Sequence, residues 1–154
     1  MKSIIAVIGG STCTPAEMDL AEQTGRLLAQ RGAIVLCGGL GGVMEAVARG
    51  VKANGGTTVG ILPGTDRGAA NAYIDIPLAT GMGEMRNALI VRAAHAVIAI
   101  GGGWGTLSEI ALAQRIGTSV AGLHDAFPRE LELPRVQTPE EAVTWALQAF
   151  TAAS

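Results

Sequence analysis

Residues 101–109 read Gly-Gly-Gly-Trp-Gly-Thr-Leu-Ser-Glu, with the apolar run Ala96-Val97-Ile98-Ala99-Ile100 before them and Ile110-Ala111-Leu112-Ala113 after them. The first run reads as a buried strand and the second as a helix. A glycine loop that joins a strand to a helix leaves bare backbone N–H groups at a helix N-terminus. That geometry binds an anion, most often a phosphate. Gly102, Gly103, Gly105 and Thr106 form the expected cradle, in which glycines allow close approach and the Thr106 hydroxyl adds a donor. The competing reading is a tight strand-to-helix turn with no ligand. Two more glycine segments follow apolar runs. Gly9, Gly10, Ser11 and Thr12 can meet a sugar or a second anion, or simply turn the chain. Gly38, Gly39, Gly41 and Gly42 can line a cleft or open the next helix. Trp104, inside the loop, can stack on a flat heterocycle or pack at a subunit contact.

Glu109 has two readings that do not exclude one another. It can act on a ligand. It can also close a Thr-x-x-Glu capping box by reaching back to the backbone of Thr106. A first-turn glutamate is held ionised by the helix dipole, which suits a base or an electrostatic stabiliser rather than a general acid. Arg86 points into a cleft or stands as a solvated helix-start residue. Asn87 can donate a hydrogen bond to a ligand but carries no charge.

Other chemistries find little support. His95 and His124 have no Ser or Cys partner at a recognisable spacing. No His/Cys/carboxylate cluster has metal-ligand spacing, so no protein-bound metal is expected. Gly9-Gly10-Ser11-Thr12-Cys13-Thr14 fails Gly-x-Gly-x-x-Gly, and no acidic residue ends the second strand, which argues against a dehydrogenase. Net charge is −2 and no Lys/Arg cluster appears, so a nucleic-acid surface is not expected. Cys13 and Cys37 read as free, buried thiols of a cytosolic protein. No apolar run approaches the ~20 residues of a membrane span, and the start is too short for a signal peptide. A soluble, cytoplasmic protein is expected.

The elements that must hold these residues follow from the pattern. With 154 residues, the chain is expected to be one domain, 1–154, with room for a core. Apolar residues make up 49% and aromatic ones 3%, so Ala, Val, Ile and Leu must build that core. Strands are expected over residues 4–8, 33–37, 57–62, 73–78, 96–100 and 118–123. Helices are expected from Thr14-Pro15-Ala16-Glu17 to about Gly32, over 43–53, 83–94 and 106–116, and from Thr138-Pro139-Glu140-Glu141 to about Phe150. The two Thr-Pro-x-Glu starts combine a cap, a first-position proline and a capping-box glutamate. Strands alternating with helices imply an α/β, Rossmann-like doubly wound parallel sheet of six or seven strands, with helices on both faces. Ligands in such folds bind at the carboxyl ends of the strands, where all three glycine segments lie. Segments 65–72 and 124–137 read as loose loops or lids.

Gly102-Gly103-Trp104-Gly105-Thr106-Leu107-Ser108-Glu109 resembles the Pro-Gly-Gly-x-Gly-Thr-x-x-Glu signature of the LOG (Lonely Guy) family, once called "lysine decarboxylase-like". Gly38-Gly39-Leu40-Gly41-Gly42-Val43-Met44 resembles its Gly-Gly-Gly-x-x-Gly-x-Met segment. Met85-Arg86-Asn87-Ala88 stands where the family has Arg-Lys-Ala. Gly101 replaces the signature proline and Asn87 the lysine. With the run 93–102, these departures look more like a small, mostly bacterial sister group related to molybdenum cofactor carrier proteins. The resemblance implies the Rossmann-like fold, an anion site and assembly as a homodimer or homotetramer. It implies two activities from different classes. The preferred one is a carrier or binding protein for a phosphorylated heterocycle, with molybdenum cofactor or a nucleotide as cargo and no required cofactor. The alternative is a phosphoribohydrolase that cleaves nucleoside 5′-monophosphates to base and ribose 5-phosphate. There Glu109 would stabilise an oxocarbenium-like state or activate water, and Arg86 would neutralise phosphate or position the substrate.

Overall fold

In the computed structural model, which describes residues 1–125 and 127–153, twelve regular elements follow one another. They are β1 (Ile4–Gly9), α1 (Pro15–Gln30), β2 (Ile34–Cys37), α2 (Val43–Ala53), β3 (Thr57–Leu62), β4 (Ile76–Ala79), α3 (Asn87–Ala93), β5 (Ala96–Ile100), α4 (Trp104–Ile116), β6 (Ser119–Leu123), β7 (Arg135–Val136) and α5 (Pro139–Ala153). Single 3-10 turns occupy Arg67–Ala69 and Gly83–Arg86. The strands are all parallel and form one sheet in the order β4-β3-β2-β1-β5-β6-β7. This is the α/β, Rossmann-like sheet that the strand–helix alternation implies, and its order reverses between β1 and β5.

Helices cover both faces, which is why the central strands read as unbroken apolar runs. Ile5, Val7, Val35 and Ile98 pack against α1, α2 and α5 through Leu28, Val47 and Val143. Ala6, Ile8, Leu36 and Val97 pack against α3 and α4 through Ile90, Ile110 and Ala113. β5 is buried along its whole length. At the sheet edge, β4 leaves Ile76 and Leu78 46% and 45% exposed.

Both Thr-Pro-x-Glu segments cap helices. The Thr14 hydroxyl accepts the Glu17 N–H at 3.2 Å while the Glu17 carboxylate accepts the Thr14 N–H at 3.0 Å. At α5, Thr138 accepts from Glu141 N–H at 3.2 Å and the Glu141 carboxylate accepts from Gln137 N–H at 2.8 Å. That helix continues past Phe150 to Ala153.

Several expectations need correction. The fourth strand is Ile76–Ala79 rather than 73–78, because side-chain bonds anchor the residues before it. The Asp75 carboxylate accepts the Thr58 N–H at 2.9 Å, and the Tyr73 carbonyl accepts the Thr58 hydroxyl at 2.7 Å. The helix expected over 83–94 is a tight 3-10 turn that widens into the shorter α3. Segment 65–72 contains a 3-10 turn and is tied down by Asn71, which donates to the carbonyls of Gly39 and Leu40 at 2.9 and 2.8 Å. Segment 124–137, apart from Ala126, which lies outside the described residues, is clasped by Arg135 and supplies β7. Arg135 Nε meets Asp125 Oδ2 at 3.1 Å, and its other nitrogens reach the carbonyls of Phe127, Pro128, Leu131 and Leu133.

Candidate functional site

Where the strand order reverses, adjacent loops run in opposite directions and leave a crevice at the carboxyl edge. Here it is a cleft of about 490 Å³, within the range of small-molecule sites. Gly9, Gly10, Ser11 and Thr12 line it from the end of β1. Gly38 contributes from the end of β2, and Arg86 and Asn87 from the 3-10 turn and the start of α3. Gly103, Gly105, Thr106 and Glu109 contribute from α4.

The other residues singled out in the sequence lie elsewhere. Gly102 packs against the Thr106 side chain, and Gly39 against Leu62. Gly41 and Gly42 back onto the Ser11 segment, with Gly42 preceding α2. Trp104 stands at the first position of α4, 87% exposed, and does not line the cleft. Leu40, Met44, Pro63 and Glu84 also line it, although residue type and spacing do not mark Leu40, Pro63 or Glu84 as lining residues. Met44 had a signal, since it closes the glycine segment at the first turn of α2.

α4 begins two residues earlier than expected, at Trp104, with Gly103 as its N-cap and no side-chain cap. Thr106 is therefore already inside the first turn, and Glu109 falls in the second. The capping box expected from Thr106 to Glu109 does not form, and the dipole argument for an ionised Glu109 falls with it. The side chain is instead 6% exposed. Burial pushes its carboxyl up to about 7, with the Arg86 charge pulling weakly the other way. Glu109 is thus a group that exchanges its proton near neutrality. The first-turn N–H groups of α4, free of a side-chain cap, remain available beside it.

Gly101 explains its own departure from the family signature. Its φ is +54°, which proline cannot adopt, and an added Cβ would lie 2.4 Å from Glu17 Oε1. The loop is seated on the carboxylate that also caps α1.

Arg86 is 9% exposed, and burial pulls its pKa below the ordinary guanidinium value. One terminal nitrogen, Nη1, donates to Asn87 Oδ1, which leaves the Asn87 amide NH₂ free to face the cleft. Its Nε has no hydrogen-bond partner, and it makes no ion pair among the described residues. A buried cation with no anion in ion-pair contact is costly, even with the Glu109 charge nearby. A ligand anion in the cleft would offset that cost.

The remaining polar groups are structural or exposed. His95 Nδ1 accepts the Ile4 N–H at 3.0 Å, and its ring meets Phe150 edge-on at 4.8 Å. His124 is exposed, with φ +54°. Cys37 is buried, its thiol pushed up to about 11 by burial, whereas Cys13 is half-buried rather than buried. Among the described residues no group of His, Cys, Asp or Glu could hold a metal ion, and no helix is long and apolar enough to cross a membrane.

Comparisons with known sequences and solved structures give the family and the fold. The pattern of the SLOG cluster4 family matches residues 2–148. A protein of Archaeoglobus fulgidus is 44% identical over 94% of this chain and 95% of its own. A rice (Oryza sativa subsp. japonica) protein described as a probable cytokinin riboside 5′-monophosphate phosphoribohydrolase is 37% identical over 58% of this chain, a match that spans 38% of its length. Among solved structures, the molybdenum cofactor binding protein of Rippkaea orientalis superposes with a TM-score of 0.92 at 34% identity, covering 96% of this chain and 97% of that one. The molybdenum cofactor carrier protein of Chlamydomonas reinhardtii superposes with a TM-score of 0.88 at 29% identity, covering 98% and 99%.

Proposed function

The chain belongs to the SLOG cluster4 family, and from that premise we propose that it binds a phosphorylated heterocyclic small molecule as a carrier or binding protein. The observation that carries this reading is Arg86, buried on the cleft wall and without an ion pair among the described residues, where the uncapped start of α4 also arrives. Two anion-seeking features on one crevice fit a ligand with a phosphate. The backbone N–H groups at Gly103, Gly105 and Thr106 would take the phosphate as a point of attachment. Arg86 and the free amide NH₂ of Asn87 would take a second polar group. Gly9, Gly10 and Ser11 would form the opposite wall. Gly102 would hold Thr106 in place, while Gly39, Gly41 and Gly42 would brace the loop instead of touching the ligand. Likeness to the molybdenum cofactor proteins supports a molybdopterin-type cargo, and a nucleotide has the same phosphate-plus-heterocycle form.

A second reading rests on Glu109. A carboxyl near half-protonation at neutral pH, in the same cleft as Arg86, is suited to proton transfer. In a phosphoribohydrolase of the LOG type, water would add across the C1′–N bond of a nucleoside 5′-monophosphate. Ionised Glu109 would accept the water proton or face the developing positive charge, and free base and ribose 5-phosphate would leave. The rice relatives support this reading.

One experiment separates the two. Purified protein is incubated with a panel of nucleoside 5′-monophosphates and assayed for free base and ribose 5-phosphate. Binding of a phosphorylated pterin is measured in parallel. Binding without release supports the carrier. Release that disappears in Glu109→Gln establishes the hydrolase. Neither binding nor release defeats both. We also propose assembly as a homodimer or homotetramer, supported by the exposed Ile76, Leu78, Met82, Met85 and Leu89. Sedimentation of the purified protein as a monomer at micromolar concentration would refute it.

A further inference from the structure

Gly38 closes β2 in an ordinary backbone conformation, without positive φ, so backbone freedom does not explain the glycine. The space where its side chain would stand does. A Cβ there would lie 2.8 Å from Arg86 Nη2, 2.9 Å from Arg86 Nη1 and 2.5 Å from Met44 Sδ. Real Cβ atoms do not approach other heavy atoms so closely. The near-equal distances to both terminal nitrogens, with Cζ farther off, mean that the guanidinium sets its outer edge against the bare Cα. The Asn87 side-chain oxygen holds one corner by accepting from Nη1. Nε is buried and unpartnered, and the side chain forms part of the cleft wall.

We propose that Gly38 is a positioning residue whose missing side chain makes the seat for the Arg86 guanidinium, with Asn87 as the clamp that sets its direction. The seat holds the guanidinium at the cleft wall, where its charge faces an anionic group of the ligand. Gly38 thus acts through Arg86 and not by touching the ligand itself. This rests on the reading that the cleft binds an anion, and it adds a determinant of where that anion sits. It also accounts for Asn87 beside Arg86. The neutral amide orients the cation and adds no charge, so Arg86 is the sole arginine or lysine on the cleft wall among the described residues. A larger residue at position 38 would push the guanidinium off its floor and away from Glu109.

The test uses the intact chain as wild type, Gly38→Ala, Arg86→Lys and the double variant, with adenosine 5′-monophosphate as calorimetric probe. Gly38→Ala is expected to weaken binding about tenfold or more, as does Arg86→Lys, each through loss of a charge-assisted contact. The double variant is expected to be no worse than Arg86→Lys alone, because with the guanidinium gone the added methyl has only the flexible end of Met44 to displace. Losses that multiply in the double variant overturn the proposal, since Gly38 would then act independently of Arg86.

A ligand-free readout is the Glu109 carboxyl titration, followed by ¹³C NMR. Arg86 lowers that pKa, so its displacement in Gly38→Ala is expected to raise it toward the value in Arg86→Gln. An unchanged titration overturns the proposal even if the wild type does not bind adenosine 5′-monophosphate. Should Gly38→Ala not fold, Asn87→Ala removes the clamp without adding atoms. It is expected to shift the same titration upward, and an unmoved titration there is equally fatal.

Discussion

Arg86 and Arg135 are both largely withdrawn from water, yet they are treated in opposite ways. Arg135 faces Asp125 at 3.1 Å, with side-chain exposures of 14% and 3%, and spends its other donors on backbone carbonyls. Arg86 has one side-chain acceptor, an unpartnered Nε and no ion pair among the described residues. The first arginine is consumed in folding the segment between β6 and β7. The second is held in readiness. The helix starts divide in the same way. α1 and α5 satisfy their first turns with Thr-Pro-x-Glu boxes, whereas α2 and α4 begin at glycines with no side-chain cap. The capped helices and the Arg135 clasp hold the fold, whereas Arg86 and the uncapped start of α4 meet at one cleft.

The comparison breaks most visibly at Arg135. Arg135→Ala strands the buried Asp125 carboxylate and is expected to cost about 3–5 kcal/mol of stability in chemical denaturation. Affinity for a phosphorylated ligand should be unaffected in whatever fraction remains folded. If Arg135→Ala is as stable as wild type, the clasp has been overvalued.

Glu109 sharpens the comparison through pH. Its folded pKa, about 7, stands above the ordinary 4.5, so the folded state holds the proton more tightly than the unfolded chain. Stability is therefore full below pH about 4.5 and falls as pH rises toward about 7. Glu109→Gln removes the group that must ionise. It is expected to stabilise the fold by about 3 kcal/mol at pH 8, with the gain disappearing near pH 4.5. Thermal unfolding at the two pH values checks this, and a gain independent of pH would contradict the burial argument.

Arg86→Ala should do the reverse of Arg135→Ala. Titration with adenosine 5′-monophosphate is expected to show a loss of about 10- to 100-fold in affinity. Melting at pH 6 should be unchanged or higher, since an unpaired buried cation has been removed. A large drop in stability would mean that Arg86 belongs with Arg135.

Ligand affinity should also follow Glu109. Ionised Glu109 repels an anion, so binding is expected to weaken by up to about tenfold from pH 6.5 to 8.5 and to stay nearly level in Glu109→Gln. The smallest effect belongs to a capped helix. Thr14→Ala should cost about 1 kcal/mol and leave binding untouched.

Much of this was legible in the sequence, and particular residues show why. The continuous apolar runs at β1, β2 and β5 specify a parallel sheet buried on both faces. Thr14 and Thr138 announce their helices because capping is a contact over three or four residues. Gly103, Gly105, Thr106, Arg86 and Glu109 were picked out by type and spacing, and the fold does bring them to one cleft. The failures share a cause. Thr106 and Glu109 have capping-box spacing, but the helix starts two residues earlier, and the box is lost because tertiary packing sets where the helix begins. Segment 124–137 looked loose because the Arg135–Asp125 clasp joins residues ten apart through carbonyls that no motif advertises.

The sequence by itself determined the alternation of strands and helices, the edge of the sheet at which the glycine loops gather and the membership of the chain in its family. These follow from local periodicity and short-range caps, which are written in neighbouring residues. Only the tertiary structure decided that Glu109 is buried with its carboxyl pushed up to about 7, that Gly38 lies against the Arg86 guanidinium and that, among the described residues, Arg86 lacks an ion pair while Arg135 has one. Those properties depend on desolvation and on contacts between elements far apart in the chain, and they exist only once the sheet has brought the loops together.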